Sequence, residues 1–292
     1  IMKRSSYWSV CPVAGPAGGF EFMWTCGLLK HNARQALSGR YWICTAVCLI
    51  AGFFGANSVF ANLSSQFQQV TTLWREFTQP DVWTGNHAEP TLAEILEAMS
   101  VTGLLGAIAM GILIGAVIGI VYRTFVSAPL ASGLCRYMME SRQGKAPVGT
   151  LFGIFRRPYL NVVKVLFLTN LKILLGSIII IPGIYWAYSY RLVPYLMAEN
   201  PYLTTGRAME LSSQMMRGEK FHSFLLELSF IGWELLCLLT LGLGQIFLAA
   251  YYEATFAELY AAMRAKALSY GYTDESELGG FVRHSFPDPY GA

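Results

Sequence analysis

The chain has 292 residues, of which 54% are hydrophobic and 13% are charged, and its net charge is +3. Soluble domains carry about 25% charged residues, and here the apolar residues come in runs of about 20, the length that crosses a bilayer as a helix. Basic residues do not alternate with aromatic residues in a stripe, so we expect no nucleic-acid binding. The sequence predicts an all-α fold, a polytopic transmembrane helical bundle with about six spans and short amphipathic interfacial helices.

The first 27 residues are expected to be a disordered or atypical N-terminal extension. Prolines and glycines interrupt their short apolar run, and patterned sequence begins only near Met23, which we take as the natural start. A basic amphipathic helix is predicted at 28–40. A single transmembrane domain follows over 28–265, and its predicted spans are 41–61, 101–122, 159–181, 184–198, 221–241 and 245–263.

The segments between the spans carry their own signals. Thr91 and Glu94 form a capping box that predicts a short helix before the second span. Segments 129–140 and 204–218 are expected to lie at the membrane surface, the latter starting at Thr204 or Thr205. Residues 266–292 are polar and are predicted to be a flexible cytoplasmic tail.

The pair Pro182-Gly183 is predicted to end the third span and to make a tight reversal. With both termini in the cytoplasm, Arg75 is the one residue among 21 lysines and arginines that falls outside. The alternative layout has four or five spans and merges the third with the fourth. That layout would place Arg207, Arg217 and Lys220 outside.

Small residues recur every four positions in the second span and include the predicted helix-packing face of Gly103, Gly111, Gly115 and Gly119. Such a face lets a second helix approach closely in lipid. Two interpretations remain open, namely a packing seam within the chain and a dimerisation face.

Charged residues inside the predicted spans form the candidate polar site. A charge at the bilayer centre costs about 2.5–3.5 kcal/mol on insertion scales, so such residues usually pair or face a cavity. At about 1.5 Å per residue, five of them lie about 9–16 Å from the cytoplasmic ends: Lys172, Arg191, Glu227, Glu253 and Glu258. One interpretation is a set of interhelical ion pairs, and the other is a polar cavity that binds a charged substrate or passes protons.

Motifs of enzymes and cofactor proteins are absent from the sequence. It contains no GxSxG, Walker or Rossmann pattern, no HExxH and no CxxC pair. We therefore expect a protein that is not an enzyme, with no catalytic residue, no cofactor and no metal site.

The C-terminal half resembles the bacterial membrane family called domain of unknown function 975 (DUF975). The resemblance covers about 28–265 and is carried by IIPGI at 180–184, ENP at 199–201, AMELS at 208–212, MRGEK at 216–220, LSFIGW at 228–233, YYEAT at 251–255 and ALSGRYW at 36–42. At position 227 the family pattern has Asp more often than the Glu found here. The resemblance implies a bacterial plasma-membrane protein with no assigned activity, supports Met23 as the start, and supplies no functional residues.

Two functional hypotheses follow. The first is a multi-pass protein of the bacterial cytoplasmic membrane, a transport-type or accessory component with a polar intramembrane site. The second is a non-catalytic scaffold that self-associates or binds a membrane protein partner through the glycine face or the 204–218 helix. Beyond the lipid bilayer, we expect a second copy or such a partner as the binding partner.

Overall fold

The computed structural model describes residues 13–14, 20–21, 24–57, 68, 71–72, 92–144, 146–156, 158–240 and 242–281, with the backbone alone at 13–14, 20–21, 92–105 and 107. Two-residue strands β1 (Val13–Ala14) and β2 (Phe20–Glu21) pair antiparallel, and helices form nearly all the rest, so the fold is all-α. The α-helices are α1 Cys26–Leu37, α2 Tyr41–Phe53, α3 Leu92–Tyr122, α4 Ala128–Gln143, α5 Tyr159–Ser177, α6 Ile180–Ser189, α7 Val193–Glu199, α8 Thr205–Met215, α9 Lys220–Leu228, α10 Ile231–Leu239 and α11 Gly244–Ser269.

Helices α1 and α2 meet at a corner of 100°. The hydroxyl of Thr25 caps α1 by accepting from the backbone N–H of Leu28 at 3.2 Å. Gly39 then adopts a φ of +74°, a conformation that residues other than glycine rarely adopt. The chain can therefore turn sharply into α2, which packs on α4 and α11.

Helices α3 and α4 are continuous through a π-helical turn, Arg123–Ser127. Pro129 lies just beyond this turn and has no N–H to donate to the carbonyl four residues earlier, which explains the local widening. At about 1.5 Å per residue the continuous helix is about 78 Å long. Since a bilayer core is about 30 Å thick, one part must project beyond it.

The two parts of this long helix differ in burial. The described side chains from Ile108 to Tyr122 are all exposed, whereas most of α4 is buried. Segment 129–140 was expected at the membrane surface, and it lies instead in the core. Its interior position depends on Gly133, where an added Cβ would lie 2.0 Å from the carbonyl oxygen of Leu151 in the 3₁₀ helix Val148–Arg156.

Helices α5 and α6 form a hairpin whose reversal lies at Ile178 and Ile179, one turn earlier than predicted. Pro182 and Gly183 belong to the first turn of α6, where proline is tolerated because that N–H has no intrahelical partner. Gly183 serves close approach, since an added Cβ would lie 2.5 Å from the Cα of Ser177.

Helices α9 and α10 run on as one apolar helix that is interrupted at Ser229 and Phe230. The chain reverses at Gly242, whose φ is +83°, and α11 returns along α10.

Helix α8 begins as predicted, because the hydroxyl of Thr204 accepts from the N–H of Arg207. It packs on α5, α7 and α11, so it does not lie free on a membrane surface as expected for 204–218.

Among the described residues, three helices are long and apolar enough to cross a membrane, and the bent pair of α1 and α2 raises the number to four. The three are Ile108–Gln143, Tyr159–Ser177 and Lys220–Leu239. The chain is therefore a membrane protein. The larger number of about six spans stays a prediction.

Two contacts contradict the six-span layout as drawn. Tyr41 was assigned to the cytoplasmic end of the first span, and Phe247 to the external end of the sixth. The hydroxyl of Tyr41 nevertheless donates to the carbonyl of Phe247 at 2.7 Å. Ser127 was assigned to a cytoplasmic segment, and Phe54 to the external half of the first span. The hydroxyl of Ser127 donates to the carbonyl of Phe54 at 3.0 Å. The layout assumed that every apolar run crosses, but α2 has 13 residues, about 20 Å, which is short of a bilayer core.

Both ends of the predicted domain also differ from expectation. Trp24 is buried, and its indole N–H donates to Glu219 at 3.0 Å, so the folded part includes residues 24–27. Residues 266–281 were predicted to belong to a flexible tail, yet α11 extends to Ser269 and the chain then folds back, with Leu278 and Phe281 buried. Within this segment Glu277 forms an ion pair with Arg207, and the backbone carbonyls of Glu277 and Leu278 accept from Asn200 and Arg264. Residues 282–292 lie outside the described part.

Candidate functional site

The centre of the candidate site is an ion pair between Arg191 and Glu227, with Nη1 and Oε1 2.5 Å apart. The hydroxyl of Tyr188 donates to the other carboxylate oxygen. The hydroxyl of Tyr252 lies 3.3 Å from Glu227 Oε1 and accepts from Arg191 Nη2, also at 3.3 Å. Two tyrosines therefore complete the coordination of a pair whose side chains are 22% and 30% exposed.

Helices α6, α9 and α11 carry Tyr188, Glu227 and Tyr252. Arg191 lies in the turn between α6 and α7. Pro194 in the first turn of α7 favours the start of that helix. The hydroxyl of Ser212 in α8 donates to the carbonyl of Ser189 at 2.8 Å and anchors this turn. The guanidinium also stacks on Phe256 of α11, 4.1 Å from the ring centroid, an arrangement that holds an arginine in a partly desolvated position.

Glu253 follows Tyr252 in α11 and is half-buried near this pair. Four groups are close enough to interact with it electrostatically, namely Cys48 of α2, Cys135 of α4, Tyr195 of α7 and Arg191. Within the described residues, Glu253 makes no hydrogen bond and no ion pair. A half-buried carboxylate thus lies near an arginine that is engaged elsewhere.

Lys172 of α5 lies beside the cluster but outside its ion pair. Its ammonium group lies 5.5 Å from the ring centroid of Trp186 and 5.0 Å from that of Tyr190. These contacts are cation–π interactions, which favour a cation over an aromatic face. Lys172 forms no ion pair with a carboxylate in the part of the chain that the structure describes.

Glu258 belongs to a different place. Arg142, at the end of α4, binds both of its carboxylate oxygens, at 2.5 and 2.8 Å. Glu258 comes five positions after Glu253, about 140° around the helix, so the two carboxylates lie on different sides of α11. The structure thus joins Arg191 and Glu227, places Glu253 and Lys172 beside them, and sets Glu258 apart.

The predicted packing face is not covered by the described residues. An added Cβ at Gly111, Gly115 or Gly119 would meet nothing within 4 Å. Gly103 lies where the structure describes the backbone alone, so its contacts are not described. No part of the chain that the structure describes therefore forms a packing seam at these three glycines.

Sequence reasoning missed the tyrosines and a second buried network. Neither Tyr188 nor Tyr252 was part of the predicted site. Glu199 was noted only as part of the motif ENP at 199–201, but it accepts from Tyr260 at 2.6 Å and from Arg264 at 2.8 Å. The signal was available in principle, because Tyr260 and Arg264 are four residues apart on one helix face.

Metal chemistry has no candidate in the described residues, where no group of three His, Cys, Asp or Glu side chains could hold an ion. The arrangement combines a closed ion pair with a nearby carboxylate that has no such partner among the described residues, and a carboxylate of this kind can bind a proton or a cation.

The family comparison matches the chain to a known family model. The model described as "Protein of unknown function (DUF975)" matches residues 101–267, which include every member of the charged cluster. No curated protein and no solved structure matches the chain.

Proposed function

The chain belongs to the DUF975 family of proteins of unknown function, and we propose that it is a non-enzymatic, transport-type or accessory component of the bacterial cytoplasmic membrane. In this proposal the chain crosses the bilayer several times and has both termini in the cytoplasm. Its polar intramembrane site takes up a proton or a small charged solute at Glu253.

The observation that carries the proposal is the unequal pairing of two carboxylates around one arginine. Glu227 holds Arg191 at 2.5 Å, while Glu253, one residue after Tyr252, makes no ion pair or hydrogen bond with the described residues. An ionised group away from water is costly unless it is paired. Retaining a second carboxylate here is accounted for if it binds a cation or a proton in one state of a cycle.

Arg191 provides a way to couple that binding to a conformational change. It lies in the turn between α6 and α7, so a small rotation of this turn would move the guanidinium from Glu227 toward Glu253. An arginine that exchanges partners makes a two-state element, and a ligand that favours one carboxylate shifts its population. The two tyrosine hydroxyls can bond to either arrangement because a hydroxyl both donates and accepts.

Proton flux into proteoliposomes tests this function. The full chain is reconstituted with a pH-sensitive dye inside the vesicles, and a potassium diffusion potential drives proton entry. We expect Glu253→Gln to reduce the flux to that of empty vesicles. Glu234→Gln, which changes an exposed carboxylate of α10, should leave the flux unchanged.

Equal flux in the wild type, Glu253→Gln and empty vesicles would reject a proton pathway through this site. A Glu253→Gln variant that is folded and conducts like the wild type would remove Glu253 from it. The melting temperature of each variant, measured in the same lipid, shows whether it is folded.

The uncovered glycine face supports a second candidate function, self-association. Gly111, Gly115 and Gly119 lie on one side of α3 and meet no other described side chain, a geometry that permits close helix–helix contact in lipid. A cysteine at Gly115 should crosslink between two copies in native membranes if this face is the contact. A cysteine at Val117, which is exposed and lies on the opposite side of the helix, about 200° around from Gly115, is the matched control and should not.

A further inference from the structure

A cavity of about 670 Å³ lies away from the charged cluster. Its walls come from the end of α1, the corner before α2, α10 and the first turns of α11. Its volume falls in the range of about 300–1,000 Å³ that is usual for small-molecule sites. The cavity is thus large enough to hold a ligand of drug or lipid-chain size.

Most of the cavity wall is apolar and lies at the surface of the protein. Trp233, Leu236 and Phe247 line the cavity, and each is about half exposed. Exposed apolar side chains around them continue this surface, including Trp42, Leu239 and Leu243. In a membrane protein such a surface faces lipid, so the opening of the cavity is accessible to an acyl chain from the bilayer.

The polar end of the cavity is formed by Arg34, Ser38 and Tyr251. The guanidinium of Arg34 lies over the ring of Tyr251, with Cζ 5.5 Å from the centroid, and it forms no ion pair with any described carboxylate. The hydroxyl of Tyr251 is buried and has no hydrogen-bond partner among the described residues. A buried hydroxyl without a partner costs free energy, and a ligand oxygen would remove that cost.

We propose that this cavity binds an anionic membrane phospholipid. One acyl chain lies along Trp233, Leu236 and Phe247, and the phosphate pairs with Arg34, whose planar guanidinium matches two phosphate oxygens. The Tyr251 hydroxyl donates to a phosphate or ester oxygen. The charge of the arginine selects an anionic headgroup, and the open apolar wall selects a ligand that arrives from the bilayer.

Lipid quenching of Trp233 tests the site. The full chain is reconstituted in nanodiscs in which brominated phosphatidylglycerol or brominated phosphatidylcholine replaces part of the lipid. The fluorescence of Trp233→Phe is subtracted to isolate the signal of Trp233. We expect phosphatidylglycerol to quench this signal at a roughly tenfold lower mole fraction than phosphatidylcholine, the size of effect that one charge-assisted contact gives.

The variants separate the polar end from the apolar wall. Arg34→Gln should abolish the preference for phosphatidylglycerol, and Tyr251→Phe should reduce it several-fold, by roughly the effect of one hydrogen bond. Arg156→Gln, which neutralises an exposed arginine at the end of the 3₁₀ helix, should retain the wild-type preference.

Three results would overturn the proposal. The first is equal quenching by the two lipids in the wild type, and the second is an unchanged preference in Arg34→Gln. The third is a Trp233 signal that no brominated lipid quenches but that changes with protein concentration, which would assign the cavity to a second copy of the chain. None of these outcomes depends on the proton flux assigned to Glu253.

Discussion

Arg264 of α11 and Glu199 at the end of α7 form an ion pair inside the protein, with Nε and Oε1 2.8 Å apart and side chains 9% and 0% exposed. The carboxylate also accepts from Tyr260 and from the backbone N–H of Gly280 at 2.7 Å. Arg264 in turn donates to the carbonyl of Leu278 at 2.6 Å. One buried carboxylate thus ties two helices to the C-terminal segment.

Replacing Glu199 by Gln should destabilise the protein strongly. The substitution removes the carboxylate charge that Arg264 Nε contacts at 2.8 Å, and breaking one side of a buried pair costs about 3–5 kcal/mol. Glu210→Gln is the matched control, because Glu210 is 57% exposed and pairs with Arg207 at 3.5 Å. It should change stability by less than about 1 kcal/mol. Thermal unfolding in one detergent measures both, and equal melting temperatures would contradict the structural role of Glu199.

Acid should release the C-terminal segment 272–281. Arg207 donates to both oxygens of Glu277, at 2.7 and 2.8 Å, and this contact lowers the pKa of the Glu277 carboxyl from its usual range. A lowered pKa means that the contact stabilises the folded state above the ordinary glutamate pKa of about 4.3. The stabilisation is lost as pH falls from there through the lowered value.

Amide hydrogen exchange of the 272–281 peptide, corrected for the intrinsic pH dependence of exchange, measures this release. Protection should fall as the pH drops below about 4.3 in the wild type. In Glu277→Gln protection should already be low near neutral pH and should change little with pH. A segment that stays equally protected at every pH in both proteins would show that the ion pair does not hold it.

Glycines at contact and non-contact positions should respond oppositely to alanine. Gly133→Ala places a Cβ 2.0 Å from the carbonyl oxygen of Leu151, so it should cost about 1–3 kcal/mol or more through overpacking. Gly119→Ala meets nothing within 4 Å and should be neutral or stabilising by up to about 1 kcal/mol through helix propensity. A large loss of stability in Gly119→Ala, measured by thermal unfolding, would indicate that the glycine face is covered in the membrane.

Helices and their caps were predictable from sequence because they depend on local signals. The apolar run at 221–241 and the cap at Thr204 illustrate this, since periodicity and a hydroxyl before a helix act over a few residues. The direction and depth of each helix depend on distant contacts, such as that of Tyr41 with Phe247. No pattern within either segment encodes such a contact.

The candidate site was predictable in part for the same reason. Charges in apolar runs identified Arg191, Glu227 and Glu253, because a membrane makes such residues costly wherever they lie. Which carboxylate meets the arginine depends on the turn after α6 and on the rotation of α11. The same rotation places Glu258 next to Arg142. Spacing along the sequence did not distinguish Glu258 from the carboxylates near Arg191.

The central claim is that Glu227 holds Arg191 while Glu253 remains available, and a double-mutant cycle in lipid nanodiscs tests it most directly. Stability is measured for Arg191→Gln, Glu227→Gln, Glu253→Gln and the two double variants that contain Arg191→Gln. We predict that Glu227→Gln costs about 1–3 kcal/mol, with a coupling to Arg191 above about 1 kcal/mol. Glu253→Gln should cost less than about 0.5 kcal/mol, with a coupling to Arg191 near zero. A loss in Glu253→Gln as large as that in Glu227→Gln, with strong coupling to Arg191, would contradict the claim and identify the cluster as a closed set of ion pairs.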